Sequence, residues 1–159
     1  MLTISGGATG TVIEGVTIQN GSASAGAGFG GTGWRDVEVT FQNVRFIGNE
    51  AEGEGGALKV NAGRITGKNI LVSGNLAGGN GGGLRLGWSA ELTLVNAVIA
   101  GNRAEGGGGG LYAGTNGAGT VENTIIWGNV GRSGADQVGF AQGSAKFTYR
   151  NSDVQGSGG

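Results

Sequence analysis

Residues 43–58 read Asn-Val-Arg-Phe-Ile-Gly-Asn-Glu-Ala-Glu-Gly-Glu-Gly-Gly-Ala-Leu, and this unit decides the fold because it returns three times. The later copies run over residues 69–84, 96–111 and 123–138. The first Asn recurs at positions 43, 69, 96, 123 and 151, in steps of 26, 27, 27 and 28 residues. Position-specific identity at a period of roughly 20–50 residues is the signature of a stacked-repeat protein.

The composition is unusual for a globular chain. The 159 residues include 40 glycines and no Pro, Cys or His. Disorder is the obvious alternative at this glycine content, but the periodic placement of apolar residues argues against it. A net charge of −1 gives no sign of nucleic-acid binding. No apolar run approaches the ~18 residues of a membrane span, and Met1–Ile4 lacks the features of a signal peptide.

Each repeat contains three short segments with the period-2 alternation of β-strands, bounded by Gly and Asn turns. Segment a is predicted at residues 2–4, near 29, and at 58–60, 84–86, 111–113 and 138–140. Segment b is predicted at residues 11–13, 39–41, 65–67, 92–94, 119–121 and 147–149. Segment c is predicted at residues 16–18, 44–46, 70–72, 97–99, 124–126 and 152–154. An insertion from Gly26 to Trp34 lengthens one spacing to 29 residues.

Three such strands per turn cannot each bury a face alone, but stacked turns give every strand two partners at a spacing of ~4.8 Å. The sequence therefore predicts an all-β fold, a right-handed parallel β-helix (solenoid) of about six coils of ~27 residues with three short strands per coil. Residues 1–159 are predicted to form a single domain, a segment of a larger exported protein.

The repeated Asn and Gly residues are predicted to form the corners of the coil. The Asn between segments b and c tolerates the left-handed backbone, and stacked amides can bond from coil to coil. The Gly of Gly48-Asn49 and its repeats is expected at the next corner, where a Cβ would clash. Ala51, Ala77 and Ala104 suit tight packing beside that corner.

Two repeated motifs resemble those of known surface proteins. Gly55-Gly56-Ala57-Leu58 and Phe46-Ile47-Gly48-Asn49 resemble the GGA(I/L/V) and FxxN repeats of polymorphic outer-membrane and autotransporter passenger proteins, although later copies replace the Phe. The segment 151–156 is similar to surface-anchored bacterial proteins of the parallel β-helix repeat kind. The resemblance implies export and display on a bacterial surface, often in adhesion or glycan contact, and supplies no catalytic residue.

No motif in the sequence predicts catalytic, cofactor-binding or metal-binding residues. Residues 26–31 match G-x-G-x-x-G, but no helix follows to hold a phosphate. Residues 78–84 resemble a calcium-binding nonapeptide that lacks its Asp. Glu50, Glu52 and Glu54 cluster in one loop and Glu105 lies two coils later, which we interpret as solvated acidic loops rather than a catalytic carboxylate pair.

A possible contact face follows the outward side of segment b. It consists of a column of five threonines with two neighbouring cations: Thr40, Thr66, Thr93, Thr120, Thr148, Arg64 and Lys68. Charges of alternating sign beside the column suit cohesion between stacked strands. The alternative is a flat polar face that binds a glycan or another surface. An ice-binding role is suggested only by analogy with other β-helices that carry regular threonine arrays.

A possible apolar interface follows the outward side of segment c. Strand alternation predicts an exposed stripe made of Leu71, Val98, Ile125 and Trp127. Exposed apolar stripes normally contact another surface. A local shift of register that buries part of the stripe is the competing interpretation.

Together these patterns predict a non-enzymatic structural or adhesive module of a secreted or bacterial cell-surface protein. The expected partners are a glycan or another protein surface, with self-association laterally or end to end, and no nucleic acid, membrane span or cofactor. The alternatives are a carbohydrate-active β-helix, of the polysaccharide lyase or glycosidase kind, or a glycan-binding one, and a self-assembling filament module.

Overall fold

The computed structural model describes residues 2–5, 9–32, 37–141, 143 and 145–156. These residues form a parallel β-solenoid whose coils repeat every ~27 residues, which confirms the predicted fold class. Three sheets contain six parallel strands each, so five complete turns separate the first strand of such a sheet from its last. The prediction of about six coils counted passes of the chain rather than complete turns.

The strands are numbered along the chain, and the four sheets are named A to D. Sheet A contains β1 (Leu2–Ser5), β5 (Phe29–Thr32), β9 (Leu58–Val60), β13 (Leu84–Leu86), β17 (Leu111–Ala113) and β22 (Val138–Phe140). Sheet B contains β2 (Thr11–Glu14), β6 (Val37–Gln42), β10 (Gly63–Lys68), β14 (Ala90–Val95), β18 (Ala118–Glu122) and β23 (Lys146–Arg150). Sheet C contains β3 (Thr17–Gln19), β7 (Arg45–Ile47), β11 (Leu71–Ser73), β15 (Val98–Ala100), β19 (Ile125–Trp127) and β24 (Asp153–Val154).

A fourth sheet was not predicted. Sheet D contains the two-residue strands β4 (Ser22–Ala23), β8 (Glu50–Ala51), β12 (Leu76–Ala77), β16 (Arg103–Ala104), β20 (Val130–Gly131) and β21 (Gly134–Ala135). The last two pair antiparallel, as a small hairpin. The prediction of three strands per coil is therefore wrong by one, because the alanines assigned to a corner are the inward residues of these strands. Their small side chains let the wall of sheet D lie close to the core.

Segments a and b lie where they were predicted, and segment c lies one residue later in each coil. The insertion is described as far as Thr32, and its end at Trp34 lies outside the described residues. Inward side chains of all coils form one apolar core. Near its N-terminal end, the rings of Phe29, Phe41 and Phe46 pack edge to face at centroid distances of 5.0 and 5.2 Å.

The corner between sheets B and C is built as predicted. Asn43 and its four repeats have φ values between 47° and 56°, in the left-handed region. The exposed amide of Asn69 donates to Asn43 Oδ1 at 3.2 Å, and that of Asn96 donates to Asn69 Oδ1 at 3.2 Å. These bonds tie successive coils together at the surface.

The corner between sheets C and D corrects one expectation. A Cβ built on Gly74 or Gly101 would meet no atom within 4 Å, and one built on Gly48 would meet only the side-chain Oδ1 of Asn20, at 3.2 Å, so backbone crowding does not explain glycine there. Gly74 and Gly101 have a φ of 63°, which an L-residue with a Cβ adopts only at a cost. Asn20 occupies the equivalent position in the first coil with a φ of 52°. Backbone conformation, rather than space, therefore selects Gly or Asn at this corner.

A buried ladder of amides follows that corner and was not predicted. Asn49, Asn75, Asn102 and Asn129 are almost completely buried. Each side-chain Nδ2 donates to the side-chain oxygen of the next rung at 2.8–2.9 Å. Gln137 replaces Asn as the last acceptor, and its Nε2 donates to Gln155 Oε1 at 3.1 Å. The ladder satisfies polar groups in the core and holds the coils in register.

Candidate functional site

The outward face of sheet B brings the predicted threonine column together. Thr40, Thr66, Thr93, Thr120 and Thr148 are register partners on five successive strands. Thr148 is exposed and the other four are half-buried. Val12 is the partner of Thr40 on the first strand, so the column ends on an apolar side chain there. Parallel strands in continuous register place the hydroxyls ~4.8 Å apart along the solenoid axis.

Arg64 and Lys68 flank Thr66 on the same outward side of β10, but their environments differ. The Arg64 guanidinium lies between two register partners, 3.0 Å from Glu91 Oε2 and 3.8 Å from Glu38 Oε1. Lys68 is exposed and makes no ion pair with any described residue. Of these two predicted cations, Arg64 is neutralised within the chain and Lys68 is available.

A shallow depression of about 310 Å³ crosses the later coils of this face. Its polar lining is Glu91, Thr93, Thr120, Lys146 and Thr148. It forms because Ala118 occupies the column between Glu91 and Lys146, so a methyl group stands where the neighbouring strands carry long side chains. A carboxylate and an ammonium thus border a floor of hydroxyls.

The outward face of sheet C contains the predicted apolar stripe. Leu71, Val98 and Ile125 are consecutive register partners, and Trp127 lies two residues beyond Ile125 on the same side of β19. The exposed fractions are 36% for Val98, 47% for Ile125 and 49% for Trp127, and Leu71 is half-buried. Register is continuous across these strands, so the alternative of a local shift that buries the stripe is wrong.

A partly buried ion cluster lies on the outward side of sheet A and was missed by the sequence reasoning. Glu54 Oε2 is 3.2 Å from both Lys59 Nζ and Arg85 Nε, the second contact lacking the alignment of a hydrogen bond. Asn80 Nδ2 donates to Glu54 Oε1 at 3.4 Å, and the Arg85 guanidinium lies 5.8 Å from the centre of the Tyr112 ring. Lys59 and Arg85 on neighbouring strands were the available signal, since two stacked cations require a nearby anion.

This cluster corrects the interpretation of all the acidic loops as solvated. Burial alone would raise the pKa of the Glu54 carboxyl, but the charges of Arg85 and Lys59 and its hydrogen bonds outweigh burial and lower that pKa. Glu105 fits the original interpretation better, since its carboxylate is exposed and lies 2.9 Å from the guanidinium of Arg103, in the preceding strand β16. Glu50 and Glu52 are exposed as expected.

The remaining motifs lie in ordinary turns and strands. The segment 26–31 ends inside strand β5, and no helix follows it. In the segment 78–84, the Oδ1 of Asn80 accepts a hydrogen bond from Gly107 N at 2.8 Å. No group of three or more His, Cys, Asp or Glu among the described residues is arranged to hold a metal ion. Within the same ranges, no helix is long and apolar enough to cross a membrane.

Comparison with protein families, with curated proteins and with solved structures finds no significant match. The class that the fold defines is that of the parallel β-solenoid repeat proteins.

Proposed function

We propose that this chain is a non-enzymatic structural and adhesive module of a secreted or bacterial cell-surface protein. In this proposal the outward face of sheet B contacts a glycan or another polar surface. The observation that carries it is the threonine column with its bordered depression, since hydroxyls, a carboxylate and an ammonium are the groups that pair with sugar hydroxyls. The resemblance to repeats of bacterial surface proteins supports the location.

The rigidity of the scaffold supports a binding role. Thr66, Thr93 and Thr120 stand on strands with parallel partners on both sides, so their positions are set before a ligand arrives. Lys146 and Thr148 stand on β23, the terminal strand of sheet B, which pairs with β18. A surface that is ordered in advance loses little conformational entropy on binding. Repetition of the same hydroxyl on successive strands also suits a ligand that is itself a repeating polymer.

The state of Glu54 supports the non-enzymatic part of the proposal over the carbohydrate-active alternative. A carboxyl group that donates a proton to a glycosidic oxygen needs a raised pKa. The pKa of Glu54 is instead lowered, since nearby cations outweigh the effect of its burial. Its carboxylate is engaged by Lys59, Arg85 and Asn80.

The test is a glycan array screened with the purified chain and two variants. The double variant Thr93→Val and Thr120→Val keeps the β-branched shape of both side chains while removing two hydroxyls from the depression. We expect it to lose binding. Thr17→Val is the matched control, because Thr17 is exposed on sheet C, away from the depression.

Three outcomes would contradict the proposal. The first is the absence of binding to any glycan on the array. The second is equal binding by the double variant and the parent chain. The third is release of reducing or unsaturated sugar from a polysaccharide, which would favour the carbohydrate-active alternative.

A further inference from the structure

The outward side of sheet C has an order of residues that is complementary to itself when reversed. Along the solenoid axis, one outward column reads Thr17, Arg45, Leu71, Val98, Ile125 and Asp153, each the register partner of the next. Reversing its last five members about Val98 exchanges Arg45 with Asp153 and Leu71 with Ile125, and leaves Thr17 outside the overlap. A surface with this property can pair with its own copy about a two-fold axis.

A second outward column runs beside the first on the same strands, and its side-chain sizes are also complementary to themselves when the column is reversed. It reads Gln19, Ile47, Ser73, Ala100 and Trp127, again as consecutive register partners. Reversal about Ala100 places Trp127 of one copy opposite Ser73 of the other, twice in a symmetric pair. A large ring then meets a small side chain, and Ala100 meets its own copy where space is tightest. Such alternation lets two apolar faces interdigitate.

The charges at the ends of the first column are available for an intermolecular contact. Arg45 and Asp153 are both exposed, and neither forms an ion pair with any described residue. Among the described strands of sheet C they are the two charged residues, one beyond each end of the apolar stripe. Charge complementarity therefore selects a second copy in reversed orientation as the partner that fits this face.

We propose that the outward face of sheet C binds a second copy of this chain, forming an antiparallel dimer with a two-fold axis parallel to β15. Arg45 of each copy faces Asp153 of the other, Leu71 faces Ile125, and Val98 faces Val98 across the axis. This inference concerns a different face from the proposed glycan contact and does not depend on it.

The size of the face sets the expected strength of the dimer. The five overlapping strands at ~4.8 Å spacing, with about three residues of ~3.3 Å each, give a patch of roughly 25 by 10 Å. This area is well below the roughly 800 Å² per partner of stable complexes. We therefore expect a weak monomer–dimer equilibrium that depends on concentration.

Sedimentation equilibrium of the whole chain, with charge-reversal variants, tests the orientation. Arg45→Asp and Asp153→Arg each place like charges opposite one another twice per dimer, and each should raise Kd about tenfold. Combining them restores both attractions in the antiparallel dimer, so the double variant should return to within about threefold of the parent Kd. Lys68→Asp is the control, because Lys68 is an exposed and unpaired cation on sheet B, and it should leave Kd unchanged.

Chemical crosslinking tests the position of the axis, which is possible because the chain has no Cys of its own. Faces in contact lie ~10 Å apart, so a short bis-maleimide should join Val98→Cys to its own copy. Thr93→Cys, on sheet B, should give no crosslinked dimer under the same conditions. Val98→Thr combined with Ile125→Thr should keep the parent melting temperature and sediment as a monomer.

Several results would overturn the proposal. A parent chain that stays monomeric up to about 1 mM would do so, as would filaments formed end to end. A dimer that the double charge swap fails to restore would show another orientation. Loss of folding in the Val98→Thr and Ile125→Thr variant would show that the stripe is not the free surface the dimer requires.

Discussion

The side-chain amide of Asn75 donates to Oδ1 of Asn102 at 2.8 Å. Both asparagines are buried in the interior, each with 1% of its surface exposed. The same Asn75 Nδ2 donates to Phe46 O at 3.1 Å, and Asn102 Oδ1 also accepts from Asn75 N at 3.0 Å. One rung therefore satisfies backbone and side-chain groups of three coils. Buried polar groups destabilise a fold unless they are paired, so this pairing makes the register of neighbouring coils specific.

Replacing one rung should destabilise the solenoid strongly. Asn102→Leu removes the acceptor of both Asn75 N and Asn75 Nδ2, so we expect a loss of about 2–5 kcal/mol in the free energy of unfolding. Asn96→Gly is the control, since it removes an exposed amide while keeping a left-handed corner, and it should cost less than about 1 kcal/mol. Urea denaturation measures both, and equal losses would contradict the importance of the buried ladder.

The core should respond to a cavity as a packed interior. Ile99 is completely buried, so Ile99→Ala should cost about 2–5 kcal/mol. Glu105→Ala, in an exposed loop of the same coil, should stay within about 0.5 kcal/mol of the parent. Similar losses in chemical denaturation would show that the inward assignment of Ile99 is wrong.

The corner after sheet C should discriminate residues by backbone conformation. Gly101→Val has room for its Cβ but must hold a positive φ, so we expect a cost of about 1–2 kcal/mol. Gly101→Asn reproduces the residue found at the equivalent Asn20 and should cost less than the Val variant. Thermal unfolding of the two variants tests this expectation. The same melting temperature for both would refute the selection of residue 101 by backbone conformation.

The charged ladder on sheet B should behave as a modest surface network. Arg64→Glu would align three carboxylates, at positions 38, 64 and 91, and should destabilise the chain by about 1 kcal/mol at low salt. The effect should shrink as ionic strength rises, because these side chains are exposed. A melting temperature unchanged by the substitution at low salt would mean that these side chains contribute nothing to cohesion.

Glu54 should make stability depend on pH in the acid range. Its folded pKa lies below the ordinary value of 4.5, so the folded state binds fewer protons than the unfolded state between the two values. The stabilisation from Glu54 is therefore complete above about pH 4.5 and is lost as pH falls through the folded pKa. We expect Glu54→Gln to flatten this part of the stability profile, and Glu52→Gln, at an exposed neighbour, to leave it unchanged.

The sequence predicted the strands of sheets A and B and the corner at Asn43 because alternation and positive-φ residues leave direct signals. Sheet D left none, since two residues such as Leu76-Ala77 are too short to show alternation. The buried ladder was missed because an Asn after Gly is typical of a turn, and only the stacked coils show that Asn75 points inward. Glu54 was missed because its partners Lys59 and Arg85 lie on different strands.

The residues of the candidate faces could be predicted from the sequence for a related reason. Once the repeat is aligned, residues one period apart become neighbours, so the Thr66 and Thr93 column and the Val98 and Ile125 stripe follow from counting. The depression beside Lys146 did not follow, because it depends on the missing bulk of Ala118 rather than on any residue that is present. Sequence periodicity thus identifies what each face contains better than it identifies the shape of that face.

The buried ladder also has a direction. From Asn49 to Asn129, one side-chain N–H of each Asn donates to the side-chain oxygen of the next rung, so the amide-to-amide bonds all run in one direction. The other N–H of each Asn donates to a backbone carbonyl of the preceding coil. Hydrogen bonds that follow one another in a chain polarise one another. Duplicating one coil should therefore raise the cooperativity of unfolding by more than the contacts of that coil alone would add. This holds only if the added coil contributes its own Asn to the buried ladder.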